Sequence, residues 1–305
     1  MSELASASRA CPVCAASHSQ PYLRKLSLQV VRCQKCSMLY ANPVPAALVS
    51  GEFYEQSGES YYLSGPKLEA DYAAVRFDRE LRLFRRHCLA GSVLDVGCSS
   101  GAFLHQLNQR FPGSYQILGT DVSGPALNHA ESVGVPVIRG SFLGRNFDGQ
   151  NFDAVTFWAV LEHLLEPKPF LEKAWSLLRP GGLCFILVPN MSSLAVRLLG
   201  ERYRYILPQH VNYFTRPTLM RLVQPRFEIV HCRTTHFNPI VIWQDWRRRQ
   251  ETVSDQDRAA LLKKTTAYKQ NSILAPLRLL YGGVEKALGC LGLADNLVVV
   301  LRKRG

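Results

Sequence analysis

The sequence predicts a doubly wound α/β fold preceded by a small β-ribbon. Three observations lead there. Short apolar runs alternate with helix-forming stretches through the middle of the chain. The first of these runs ends in a glycine-bearing turn that opens directly into a helix. Near the start, two Cys-x2-Cys pairs bracket a span rich in β-formers. The 305 residues, 47% apolar and 20% charged, suffice for one sizeable core and a small accessory module.

The ribbon is expected over residues 1–40. Cys11 and Cys14 form one pair, Cys33 and Cys36 the other, and Leu26, Leu28, Val30 and Val31 lie between them. Each Cys-x2-Cys turn can present two thiolates to one ion, and four soft ligands suit tetrahedral zinc. With no open coordination position, such a zinc is structural. The alternative, disulfides, requires an oxidising compartment. The first residues lack a basic-then-apolar signal pattern, so the expected location is cytoplasmic. Cys88, Cys98, Cys184, Cys232 and Cys290 stand in apolar contexts and read as core residues.

A connector rich in Pro, Gly, Ser and Tyr is expected over 41–66, and one helix from Lys67 to Leu89. The core pattern then begins with a strand, Ser92 to Val96. The turn Gly97-Cys98-Ser99-Ser100-Gly101 and a helix from Ala102 to Arg110 follow. Glycines at such a turn let a ligand approach the backbone where a Cβ would clash. A second strand ends at Asp121, placed to accept hydrogen bonds from ribose hydroxyls. Ser123 is the expected N-cap of a helix ending near Gly134. Strands at Val135–Ile138, Phe152–Trp158 and Leu183–Val188, with a helix over Lys168–Leu178, complete the alternation. The dinucleotide fingerprint G-x-G-x-x-G is not matched, which counts against a nicotinamide-dependent oxidoreductase.

With these residues in place, the chain resembles the class I S-adenosylmethionine-dependent methyltransferases, whose sheet is Rossmann-like with an antiparallel edge strand. Asp95-Val-Gly97-Cys98-Ser99-Ser100-Gly101 is similar to their first motif, with Ser99 in place of the middle glycine. Asp121, with Val122 beside it, is similar to the acid that binds the ribose. Asn151-Phe-Asp153-Ala-Val, Leu161-Glu162-His163 and Leu178-Arg-Pro180-Gly181-Gly182 resemble the later motifs in order. Ser141 and Phe142 stand where many relatives contact adenine, with Ser141 replacing an acid. Trp158 reads as a pocket wall or a core residue. The resemblance implies a core over 67–234, an insertion over 235–294 and a terminal edge strand over 295–305. Ribbon, connector and core together look like a bacterial subgroup found around glycan, lipid and natural-product biosynthesis.

Methyl transfer from a sulfonium is an in-line displacement, so a protein must align donor and acceptor and, for a hydroxyl, remove a proton. His163, His210 and Tyr213 are the candidates, because they fall at the expected carboxyl edge of the sheet. For His163 the plainer reading is a residue that packs or caps at a helix start. His210 divides between a base on the substrate side and a buried hydrogen-bonding residue. The expected acceptor is a small molecule or a glycan- or lipid-linked one. The net charge of +12 keeps RNA as an alternative acceptor, and a non-catalytic binding protein is a second alternative. Trp243, Trp246 and the Arg247–Arg249 cluster lie in the 235–294 insertion. They suggest a cap over the acceptor, a homodimer contact or a peripheral membrane contact.

Overall fold

A computed structural model of the protein describes residues 6–45, 48, 62–147, 149–224, 226–247, 254–270 and 275–304. Most of the expected connector, and Arg248 and Arg249 of the basic cluster, lie outside the described residues. The chain opens with β1 (Ser6–Ala7), β2 (Ser19–Lys25), β3 (Leu28–Cys33), β4 (Leu39–Ala41) and β5 (Val44–Pro45). β2, β3 and β4 form an antiparallel meander, and β1 pairs with β5.

Two helices follow, α1 (Gly65–Tyr72) and α2 (Asp78–His87), where the periodicity predicts one. The break has a tertiary cause. The amide of Gln106 donates to the carbonyls of Asp71 (2.7 Å) and Ala73 (3.1 Å), supplying partners that a continuous helix would have given. Ala73 is extended, with ψ at 134°.

From there strand and helix alternate: β6 (Gly91–Val96), α3 (Ala102–Arg110), β7 (Tyr115–Asp121), α4 (Gly124–Ser132), β8 (Val137–Arg139), β9 (Phe152–Trp158), α5 (Pro167–Leu177) and β10 (Leu178–Pro189). The remainder comprises α6 (Leu194–Leu199), β11 (Asn212–Tyr213), α7 (Arg216–Val223), β12 (Phe227–Thr235), α8 (Pro239–Arg247), α9 (Asp255–Gln270), α10 (Ala275–Cys290) and β13 (Asn296–Lys303).

Seven strands make one sheet in the order β12-β13-β10-β9-β6-β7-β8. The five from β10 to β8 are parallel, and β13 runs antiparallel to both of its neighbours. The terminal strand, expected at the edge, therefore lies one place inside it, and β12 is outermost. Burial explains the order: Leu297 to Leu301 is an uninterrupted buried run, whereas β12 is mostly half-buried. Alternate residues feed two layers. Val93, Ala154, Phe185 and Val300 pack with Phe84, Phe103 and Leu127 on one face. Leu94, Val155, Ile186 and Val299 pack with Leu171, Ala174 and Leu219 on the other.

The ribbon is not a satellite. β11 pairs with β4, so the meander continues into a strand from the far side of the sequence. The border expected at residue 40 falls inside β4. Arg9 reinforces the joint. Its guanidinium donates to the carbonyls of Leu165 (2.7 Å) and Val211 (2.5 Å) and to the Asn212 side chain (2.8 Å).

The 235–294 segment is held by ion pairs. Arg204 and Asp245, each 3% exposed, join at 2.8 Å and tie α8 to the loop after α6. Arg79 of α2 pairs with Glu285 of α10 through both carboxylate oxygens. At Gly289 a Cβ would stand 2.7 Å from the Thr234 carbonyl, so a side chain would push α10 off β12. Among the described residues no helix is long and apolar enough to cross a membrane.

Candidate active site

The sheet reverses its strand order between β6 and β9, and a crevice at the carboxyl ends of such strands is where open α/β sheets bind ligands. β6 delivers the glycine turn to that point. Gly97 and Gly101 have φ of 74° and 77°. A Cβ on Gly97 would lie 2.6 Å from Val160 Cγ2, and one on Gly101 2.9 Å from Ala130 Cβ. Ser99 keeps the left-handed conformation of the glycine it replaces, with φ of 49°. The thiol of Cys98 turns away from the crevice into the core, against Gly119, where a Cβ would stand 2.6 Å from the sulfur. As a cofactor contact Cys98 offers main chain only.

Asp121 closes the end of β7. Its carboxylate accepts the backbone N–H of Ser99 and that of Ser123, both at 2.9 Å. Burial raises its pKa, and these donors, with the Val122 N–H, pull it back toward the charged form. Each oxygen retains a lone pair for a further donor, which is the capacity that two ribose hydroxyls require. Ser123 stands at the N-cap of α4, but its side chain makes no cap bond. Its N–H serves Asp121 instead.

Asp95 is buried on β6 and accepts a 2.6 Å hydrogen bond from Thr156 on β9. Burial pushes its pKa up to about 7, with the charge of Asp121 adding to the rise. Trp158 ends β9 packed against the core, its ring 5.1 Å from Phe103 and its Nε1 buried without a partner among the described residues. Val122 is exposed beside Asp121, and Ser141 is exposed ahead of the short turn Phe142–Gly144. The Phe142 ring is spent in the core against Phe147, Phe157 and Phe170, so only its backbone is left to face a ligand.

Tyr72, inside the helix expected over Lys67–Leu89, reaches over the turn. Its hydroxyl donates to the Ser100 carbonyl at 2.5 Å, and His105 and His129 meet its ring edge-on. No sequence signal marked it, because its partner lies in another element.

Four residues beyond β9 the chain forms a buried polar cluster. One potential ligand atom from each of Glu162, His163 and His210 lies within 4.8 Å of the other two. The rings of His163 and His210 meet edge to face at 4.7 Å. Nδ1 of His163 donates to the Gln209 carbonyl and Nδ1 of His210 to that of Tyr205, both at 2.9 Å. Burial lowers both histidines, His163 to about 4 and His210 well below its ordinary value, so both rings are neutral at pH 7. Burial pushes Glu162 up to about 8, and its Oε2 has no hydrogen-bond partner among the described residues.

β11 clamps this turn. Val211 and Asn212 donate their N–H groups to the Glu162 carbonyl, and the Asn212 side chain donates to the carbonyls of Leu161 and Leu164. In the sequence Glu162 is one member of the Leu161-Glu162-His163 motif, and only its burial marks it as a site residue. Tyr213 does not join the cluster's chemistry. It is buried, its hydroxyl donates to the Leu207 carbonyl at 2.9 Å, and burial raises its pKa far above neutrality. It is a scaffold residue for the loop that carries His210.

The cysteines gather as expected. Cys11 and Cys36 sulfurs lie 3.4 Å apart and those of Cys14 and Cys33 3.5 Å, too far for a disulfide bond of about 2.05 Å. A tetrahedron with zinc–sulfur bonds of about 2.3 Å has edges of about 3.8 Å. The donor set therefore fits a closed, structural zinc site.

Residues 69–231, more than half of the chain, match the family model described as a methyltransferase domain. The chain belongs to this family. It is a class I S-adenosylmethionine-dependent methyltransferase domain. Curated relatives include a ubiquinone biosynthesis O-methyltransferase of Bradyrhizobium diazoefficiens, 29% identical over 141 residues. That alignment takes in 44% of this methyltransferase and 54% of the relative. A trans-aconitate 2-methyltransferase of Deinococcus radiodurans is 34% identical over 113 residues, 35% of this chain and 42% of that one. The chain thus spans about half the length of these relatives. Among solved structures, the PH0226 protein from Pyrococcus horikoshii shares the fold, with a TM-score of 0.51 and 14% identity over 83% of this chain and 99% of that one.

Proposed function

We propose that this methyltransferase moves a methyl group from S-adenosylmethionine to an oxygen of a small organic acceptor, whose proton is handled at the Glu162–His163–His210 cluster. One observation carries the reading. The cluster follows directly from β9, and Val160, two residues before Glu162, packs against Gly97 of the cofactor turn. Donor cradle and proton-accepting groups therefore share one end of the sheet.

Bound cofactor supplies an activated methyl on a sulfonium. The chain's own residues do the rest. Gly97, Ser99 and Gly101 keep side chains out of the cradle, Asp121 accepts the ribose hydroxyls, and Trp158 walls the crevice. His210, held by Tyr205 in the tautomer with its lone pair on Nε2, accepts the acceptor's hydroxyl proton. With that cofactor bound, the oxygen would bond to the methyl carbon as the carbon–sulfur bond broke, the sulfur leaving as a neutral thioether. Glu162 beside it, pushed up to about 8 by burial, would offset the charge of the imidazolium on giving up its own proton.

Relatives named for O-methylation in ubiquinone biosynthesis and for trans-aconitate 2-methylation favour small acceptors with phenolic or carboxylate oxygens. Glycan- or lipid-linked versions of such acceptors belong in the same class. Presenting them in anionic vesicles is warranted by α8, where Ile240, Trp243 and Trp246 are exposed and Arg247 stacks on Trp243. The test is production of S-adenosylhomocysteine from S-adenosylmethionine across phenols, carboxylic acids and their lipid-linked forms. Turnover with one class assigns the acceptor. Tight cofactor binding with no turnover on any of them would promote the non-catalytic reading.

Zinc at Cys11, Cys14, Cys33 and Cys36 is the second part of the proposal, supported by the sulfur geometry. Metal analysis is expected to find one zinc per chain, and Cys33→Ser to lower both zinc content and thermal stability. Full stability in a zinc-free variant would remove the ion from the fold.

A further inference from the structure

We infer that Glu162, His163 and His210 form a divalent-metal site with mixed oxygen and nitrogen ligands, and that an oxygen of the methyl acceptor occupies a remaining coordination position. The inference deepens the reading of this cluster as the acceptor-side pocket and rests on it.

The donor set comes first. Two imidazoles and one carboxylate on one side of an ion form the arrangement that leaves further positions open to substrate, and imidazole favours Fe(II), Co(II) and Zn(II) over Ca(II) or Mg(II). It is also chemically distinct from the four thiolates of the ribbon. The spacing agrees. Bonds of about 2.1 Å place ligand atoms roughly 3.0–3.5 Å apart, and the three groups already lie within 4.8 Å of one another.

The surroundings are those of ligands rather than of packing residues. A metal-binding histidine almost always donates its second ring nitrogen to a carbonyl or carboxylate, which fixes the ring and puts the lone pair on the coordinating side. Both histidines do this, His163 to Gln209 and His210 to Tyr205, each at 2.9 Å through Nδ1. Glu162 is 1% exposed, yet its Oε2 has no hydrogen-bond partner among the described residues. A buried carboxyl oxygen without a partner, on a residue that brings a ligand atom within 4.8 Å of both imidazoles, is a group that a cation would satisfy. The turn is also stiff, because Val211 and Asn212 hold the Glu162 carbonyl at 2.8 and 3.0 Å.

An ion here would bind the acceptor oxygen and lower the pKa of its hydroxyl. The O–H bond then breaks with the proton passing to solvent, and the oxygen takes the methyl group from sulfur as described above. His210 serves as ligand in that case, and the acidity comes from the cation.

The experiment is a Co(II) titration of the zinc-loaded full chain, followed by calorimetry and by the visible spectrum. One equivalent is expected to bind with a dissociation constant in the micromolar range. Its spectrum should show d–d bands of nitrogen and oxygen ligation and no sulfur charge-transfer band. Glu162→Gln and His210→Asn should each weaken binding at least tenfold, while S-adenosylhomocysteine binding reports that the variants are folded. If Glu162→Gln does not fold, His210→Asn alone decides. Absence of saturable Co(II) binding, binding with a thiolate spectrum, or equal affinity in the folded variants would overturn the inference. Methyl transfer that persists without the ion and is lost on His210→Asn would leave the functional reading standing and remove only the metal. Co(II) bound as described, with no acceptor methylated, would do the reverse.

Discussion

Asp121→Ala is expected to weaken S-adenosylhomocysteine binding by about 100-fold, roughly 3 kcal/mol. The lost ribose contacts alone account for that figure. The carboxylate would lose its two ribose hydroxyls, and hydrogen bonds to a charged group contribute about 1.5 kcal/mol each. The same change strips the acceptor from the N–H groups of Ser99 and Ser123, which Asp121 holds at 2.9 Å. The turn between Gly97 and Gly101 would then lose one of the contacts that set its shape. Calorimetry of wild type and variant decides the matter. Unaltered affinity in a folded Asp121→Ala protein would show that the ribose is bound elsewhere.

His210→Ala is expected to reduce methyl transfer by between about 100- and 10,000-fold, the range for loss of a proton-transfer group. Cofactor affinity should stay within a few-fold, because His210 touches His163 and the Tyr205 carbonyl and no residue of the glycine turn among its described contacts. The split between turnover and affinity is the informative quantity. A merely structural histidine would lower thermal stability and both kinetic parameters together. Turnover at the wild-type rate would exclude His210 from proton transfer and from ligation alike.

The parts of the molecule that were legible in the sequence are those whose causes are local. β9 and α3 fall on the expected residues, β6 extends the expected strand by a single residue, and β7 ends at Asp121 as expected. Apolar runs closed by glycine or an acid leave little choice of conformation there. The four cysteines were legible for the same reason: a Cys-x2-Cys turn carries its geometry within itself. What was not legible depends on partners far away. The Lys67–Leu89 helix breaks because Gln106, in another helix, satisfies the carbonyls of Asp71 and Ala73. Tyr213 sits near the right place, but a carbonyl six residues earlier takes its hydroxyl. Glu162 reads as one acid among many until burial and the absence of a partner for Oε2 are seen. β11, two residues long, has no periodicity to detect and exists because β4 offers it an edge.

That edge has a consequence for how the protein is made. Arg9 hydrogen-bonds to Val211, 202 residues later in the chain, and Tyr40 of β4 waits for Asn212 of β11, 172 residues later (212 − 40). At roughly 5–20 residues per second, the first strands leave the ribosome some 10–40 s before the residues that complete them. During that interval β4 is an open strand edge carrying Leu39, Tyr40 and Ala41, all buried in the finished fold. The β2-β3-β4 meander, the β1–β5 pair and the cysteine cluster can all close early, since their members have emerged by residue 45. A zinc held at those cysteines would brace the meander while its β4 edge stays open for β11.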